Sequence, residues 1–175
     1  MPIIPDPPIT DYEPFYRPGM VTVTCHVLGR ESIFRLDAAV HTWHVSLRRA
    51  QTHHPFRMVA FAILPERVEL LLLLPEGDSP RDAVERAKAY FTADYRTLMG
   101  DPGRMVVWER GFDSSLVLDA GRFARKLDTI HYAPVGARLV IRPEDWPHTS
   151  FPIWVERGLY PLGWGWERPN RLNTR

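Results

Sequence analysis

Arg67 and Glu69 stand on either side of Val68, at the head of the chain's most apolar run, Val68 to Leu74. Side chains two apart on a strand share a face at a separation of roughly 7 Å, so this arginine and this glutamate can pair. Two chemistries follow from such a pair. The guanidinium can contact a phosphate while the carboxylate orients it, or the carboxylate can bind a hard cation. The plainer alternative is an ion pair that protects a strand end beside a turn. A second set lies further along. If Phe123 marks the buried side of a helix beginning at Asp119, then Arg122, Lys126, Thr129 and Ala133 fall together on a neighbouring flank. A flank of two cations and two small residues suits a phosphate-binding stripe, or simply a solvated face.

The remaining reactive types are less well spaced. His41 and His44 share a helix face, and His53 and His54 follow, but no third ligand stands at a metal-site spacing, so partly buried or surface histidines are expected. Cys25 and His26 are adjacent in an alternating stretch and therefore point to opposite faces, which disfavours a Cys and His nucleophilic pair. Trp108, Phe112, Trp146, Trp154, Tyr160, Trp164 and Trp166 could stack on unpaired bases, although packing is the commoner use of such side chains.

These residues need a scaffold, and its outline is legible. The chain has 175 residues, enough for one substantial core. Its formal net charge of +1 gives no global basic field, although its cations are all arginine except Lys88 and Lys126. A single cysteine excludes an intramolecular disulfide framework, and no apolar run reaches membrane-spanning length. A cytoplasmic protein without a membrane anchor is expected. Residues 1–19 are proline-rich and read as an extended arm. The alternation from Met20 to Leu28 predicts a strand, and the apolar spacing after Asp37 a helix capped by it and running to about His53. Met58–Leu64 and Val68–Leu74 predict a central hairpin, and Ser79-Pro80 starts a helix that Gly100 stops. An extended piece over residues 105–112 predicts a fourth strand, and Asp119 caps a helix that ends before Pro134. The order predicts a ferredoxin-like α+β fold, an antiparallel sheet with helices packed on it. Residues 20–141 form the domain, and 142–175 a tail rich in aromatics and proline, with a short helix near 151–158.

Several stretches, read in order, resemble the REP-associated tyrosine transposases, a branch of the single-tyrosine HUH transposases. They are ILPERVELLLLLPEG, VWERGFDSS, LDTIHYAPVGARLVIRPEDWPHTSF and ERGLYPLGW, and the resemblance spans about residues 20 to 164. Matching positions include Trp108, Arg110 and Phe112, then Ile130, His131, Pro134, Val135, Pro143, Asp145, Trp146 and Pro147, and finally Gly158, Tyr160 and Trp164. The resemblance implies a ferredoxin-like fold and a partner that is single-stranded DNA beside a hairpin.

The departures fall on the chemistry that the resemblance implies. Where the family carries His, a hydrophobic residue and His, this chain carries Arg67, Val68 and Glu69; Thr129 replaces the nucleophilic tyrosine and Ala133 the metal-supporting asparagine. A guanidinium cannot ligate a metal, and a threonine hydroxyl is a far weaker acid than a phenol. The expectation is a monomeric protein that binds single-stranded or hairpin DNA without cutting it and needs no cofactor. Arg67, Arg110, Arg122 and Lys126 would meet phosphates, and Trp108 and His131 the bases or the groove wall. Two rivals stand beside it. One is strand cleavage by Tyr132 with magnesium or manganese held by Glu69, and the other is a protein-interaction module whose aromatic tail docks a partner.

Overall fold

β1 (Met20–His26) buries Val21, Val23 and Cys25 on one face and leaves Thr22, Thr24 and His26 half-buried on the other, as its period-two alternation requires. The structure is a computed structural model and describes residues 9–101, 103 and 105–173. Residues 1–8 of the proline-rich arm lie outside the described residues. α1 (Asp37–Gln51) buries Val40, Trp43, Leu47 and Ala50 at the anticipated spacing. Leu36, not Asp37, occupies its N-cap; the aspartate is the first helical residue, where its charge still faces the positive helix end.

β2 (Arg57–Leu64) and β3 (Arg67–Leu73) form the hairpin, with Leu64 opposite Arg67 across a turn of Pro65 and Glu66. α2 (Pro80–Leu98) starts as its sequence signal indicates, Ser79 Oγ accepting from Arg81 N at 3.2 Å. The sheet order is β2-β3-β1-β4 with every pair antiparallel, the ferredoxin-like split βαβ arrangement. The hairpin is not wholly central, since β2 is an edge strand. That edge is occupied by the backbone of residues 148–150. Ile63 N donates to the His148 carbonyl at 2.8 Å and Ser150 N to the Phe61 carbonyl at 3.0 Å.

Two elements differ from the sequence expectation. The fourth strand is β4 (Asp113–Leu116), not residues 105–112. In the earlier segment only Trp108 makes a strand-like bridge, to Val27, while Lys88 Nζ donates to the carbonyls of Glu109 (3.3 Å) and Gly111 (2.7 Å). A buried ammonium thus satisfies backbone oxygens that a neighbouring strand would otherwise meet. The second difference is α3 (Ala120–Gly136), which runs through Pro134. Its proline lies in the last turn, so its missing N–H forfeits one bond, and Ala137 N still reaches the Ala133 carbonyl at 2.9 Å. Asp119 caps α3 as read, accepting from Arg122 N at 2.7 Å.

Cores lie on both faces of the sheet. Val23, Val68, Leu70 and Leu72 pack against α1 and α2 with Trp43, Phe91 and Trp108. On the other face Ala62, Leu64 and Leu71 pack against α3 and α4 (Phe151–Glu156). Both chain ends contribute to this second core. Tyr12 is fully buried against Phe123, with ring centroids 6.2 Å apart, and Trp154, Tyr160 and Trp164 are buried beside it. Among the described residues no helix is long and apolar enough to cross a membrane.

Candidate nucleic-acid interface

Because Val68, Leu70 and Leu72 face α1 and α2, the alternate residues Arg67 and Glu69 must face α3. Their strand does not press against the C-terminal half of α3. Between them opens a cleft of about 640 Å³, lined by Glu66, Arg67 and Glu69 from the hairpin and by Arg125, Thr129, Tyr132, Ala133, Gly136 and Ala137 from the helix and its end. The C-terminal segment completes the wall with Arg168, Arg171 and Leu172.

Arg67 is held from both sides. Its Nε donates to Glu69 Oε1 at 2.8 Å, and its Nη1 donates to Glu66 Oε1 in a close contact. All three side chains are mostly buried. Burial pushes the Glu69 carboxyl up from the ordinary range, against the downward pull of Arg67. The two carboxylates thus serve the guanidinium, and among the described residues no three His, Cys, Asp or Glu side chains converge as metal ligands.

On the facing helix, Thr129 Oγ1 donates to the Arg125 carbonyl at 2.8 Å, the ordinary back-bond of a helical threonine. Ala133 offers only a methyl group. Tyr132, half-buried, lines the same cleft, and its ring lies near Gly165. That glycine has φ +77° and sits so close to Pro143 that a Cβ would fall 2.5 Å from Pro143 Cγ. The tail can therefore lie flat behind the tyrosine. Arg168 donates to the Asn173 side chain and the Leu172 carbonyl. Arg171 Nε lies 3.2 Å from Asp128 Oδ2, whose residue is fully buried.

His131 does not reach the cleft. It is fully buried; Nδ1 lies 2.9 Å from Tyr160 Oη and Nε2 lies 2.8 Å from Ser150 Oγ. Tyr160 in turn donates to Asp128 Oδ1 at 3.2 Å, so it accepts from His131 Nδ1–H, and Ser150 donates to Nε2. Burial pushes the imidazole down to about 3 and keeps it neutral. The expectation that His131 meets bases or a groove wall is thereby corrected. Its role is to tie α3 to the tail.

Trp108 is corrected likewise. Only 7% exposed, it packs its ring 5.1 Å from Trp43 and 5.3 Å from Phe91, in the core on the α2 side of the sheet. Arg110 lies with it on a separate cleft of about 450 Å³ beside α2. Neither joins Arg67. Arg122 sits in the first turn of α3, where it pairs with its own cap Asp119 at 3.5 Å, and neither it nor Lys126 lines the cleft. The cations that do line it beside Arg67 are Arg125, Arg168 and Arg171, which the sequence reading did not single out. Arg125 stands at i, i+4 and i+7 to Thr129 and Tyr132, a spacing that could have found it; nothing local marks the two tail arginines. Cys25 and His26 diverge as expected, the thiol buried and pushed up to about 12 by that burial, while His26 pairs with Arg30 and Asp113. His44 is held below its ordinary value, first by burial and then by Arg48.

No protein-family model matches the chain. A Haemophilus influenzae protein named "Putative REP-associated tyrosine transposase" is 28% identical over 162 residues, 86% of this chain and 90% of its own length. An Escherichia coli K12 protein named REP-associated tyrosine transposase is 29% identical over 117 residues, 66% of this chain and 67% of its own. The resemblance to the REP-associated tyrosine transposases is borne out. The solved structure of a REP-associated tyrosine transposase bound to a REP hairpin superposes with a TM-score of 0.72 and 24% identity, covering 85% of this chain and 87% of that one. Arg67, Glu69, Thr129 and Ala133, the four positions at which the sequence departs from the family pattern, all line the one cleft.

Proposed function

We propose that the chain binds single-stranded or hairpin DNA in the cleft between β3 and α3 and does not cut it. One observation carries this reading: Arg67, with Glu66 and Glu69 on either side, occupies the site where the resemblance implies a divalent cation. The donor set does not fit a metal, because both carboxylates already neutralise a permanent cation that would repel another. Across the cleft Thr129 and Ala133 supply neither a phenol nor an amide. Arg125 and Arg168 still give the cleft a cationic wall for a phosphate backbone, and DNA contacts of this kind are dominated by such charges. The named partner of the superposed transposase, a REP hairpin, supports hairpin DNA as the ligand.

Titrating a labelled hairpin with an unpaired flank into the protein at low salt tests the binding. A shift of the labelled strand is expected, and its absence sinks the reading. Strand cleavage by Tyr132 is favoured by one observation, that its side chain lines the same cleft. Incubation with the same hairpin and manganese separates the two readings. We expect no covalent adduct, and an adduct abolished by Tyr132→Phe would establish cleavage.

A further inference from the structure

We infer that Asp128 is a positioning residue for the cleft, holding its C-terminal wall, and Arg168 with it, where a phosphate can be met. The inference rests on the DNA-binding reading of the cleft and names the buried group on which one of its cations depends. Asp128 precedes Thr129 on α3, yet it is fully buried and is not among the residues that line the cleft. Its Oδ1 accepts from Tyr160 Oη at 3.2 Å, and its Oδ2 lies 3.2 Å from Arg171 Nε. The Arg171 side chain is only 12% exposed and also lies over the Tyr12 ring, 4.8 Å from its centroid. A turn near each end of the chain therefore meets beside this one carboxylate.

Residues 168–173 form a closed hook around the anchor. Arg168 Nε donates to Asn173 Oδ1 at 3.0 Å and its Nη2 to the Leu172 carbonyl at 3.1 Å, so its side chain is fastened to the two residues that follow Arg171. Pro169, between the two arginines, is buried. Arg171 directs its guanidinium at Asp128 and Tyr12, whereas Arg168 is exposed at the cleft. The two arginines thus divide the work, one pinning the turn and the other facing the ligand. A carboxylate as deep as Asp128 is costly to leave without its cation, which keeps the turn docked.

Hairpin titrations over a salt series test this, with Asp128→Asn and Arg171→Gln each made alone and together with Arg168→Gln. Removing a negative charge should, by electrostatics alone, tighten the binding of a polyanion. The positioning role predicts the reverse. Asp128→Asn should weaken binding and lower the slope of log affinity against log salt by about 1, the loss of one phosphate contact. Arg171→Gln should do the same, and neither change should add to Arg168→Gln. Limited trypsin digestion gives a second readout: the bond after Arg171 should be cut faster in Asp128→Asn than in the unaltered protein, while bonds within α1 and α2 are cut at the unaltered rate. Thermal melting checks that each variant is folded. If Asp128→Asn binds the hairpin as tightly as the unaltered protein or more tightly, if the losses add to that of Arg168→Gln, or if the bond after Arg171 is no more labile, Asp128 does not position the wall and the DNA-binding reading stands. If the unaltered protein binds no hairpin, both fall.

Discussion

Arg67 Nε lies 2.8 Å from Glu69 Oε1, and the two side chains are 22% and 14% exposed, so the ion pair is largely removed from water although it borders a cleft. A pair in that position is worth little as a surface salt bridge, yet costly to break from one side. Replacing Arg67 by Met should therefore destabilise the protein by about 1–3 kcal/mol at neutral pH, because it leaves Glu66 and Glu69 facing each other without a cation. Glu69 is already held above its ordinary value by burial, and losing Arg67 raises it further. A carboxyl whose folded value exceeds its unfolded one keeps its proton in the folded state, so the deficit should shrink as pH falls from about 7 toward about 5. Urea denaturation at several pH values measures this.

His131 gives the opposite slope. Its folded imidazole titrates near about 3 against an unfolded value of 6.5, so between these limits the unfolded chain binds the extra proton. Stability should fall as pH drops below 6.5, by up to about 1.4 kcal/mol per pH unit from this residue. In His131→Leu that portion of the slope disappears, while the protein is weakened at every pH because Tyr160 and Ser150 lose a buried partner. Melting temperatures across the pH range, compared between the two proteins, decide it.

Arg125 and Arg168 should act as phosphate contacts and not as base readers. Arg125→Gln and Arg168→Gln are each expected to weaken hairpin binding uniformly across sequences and to reduce the slope of log affinity against log salt by about 1. A sequence-dependent loss would instead place these arginines on base edges.

Trp108→Ala should behave as a core mutation. With Trp43, Phe91 and Phe34 around it, truncation should destabilise by about 3–5 kcal/mol. DNA affinity of the fraction that remains folded should change little, whereas a stacking role would weaken it directly.

Much of the scaffold was legible because it obeys local periodicities. The valines of β1, the Ser79-Pro80 start of α2 and the Asp119 cap of α3 each act within a few residues of chain. β4 was not legible, since Asp-Ser-Ser-Leu is exposed along its length and carries no apolar alternation. Its place is set instead by pairing with β1. The pairing of Arg67 with Glu69 was readable from strand spacing, and their meeting with Thr129 and Ala133 from the family resemblance. Glu66 was missed because it lies in a turn, where spacing does not fix direction. Arg168 and Arg171 were missed because only the fold brings the tail to α3. His131 and Trp108 were misassigned for a related reason: a motif can recur because it packs a core as readily as because it touches a ligand.

The backbone of residues 148–150 along β2 has a consequence for association between molecules. It occupies the outward backbone groups Ile63 N and Phe61 O, through which a strand from another copy would add, so among the described residues β4 is the border of the sheet that no backbone pairs. That border is four residues long and begins with the charged Asp113, a poor template for extension. Sheet-to-sheet polymerisation thus has no good starting point on either side, even though β3, among the most apolar segments of the chain, lies only one strand in from the β2 edge.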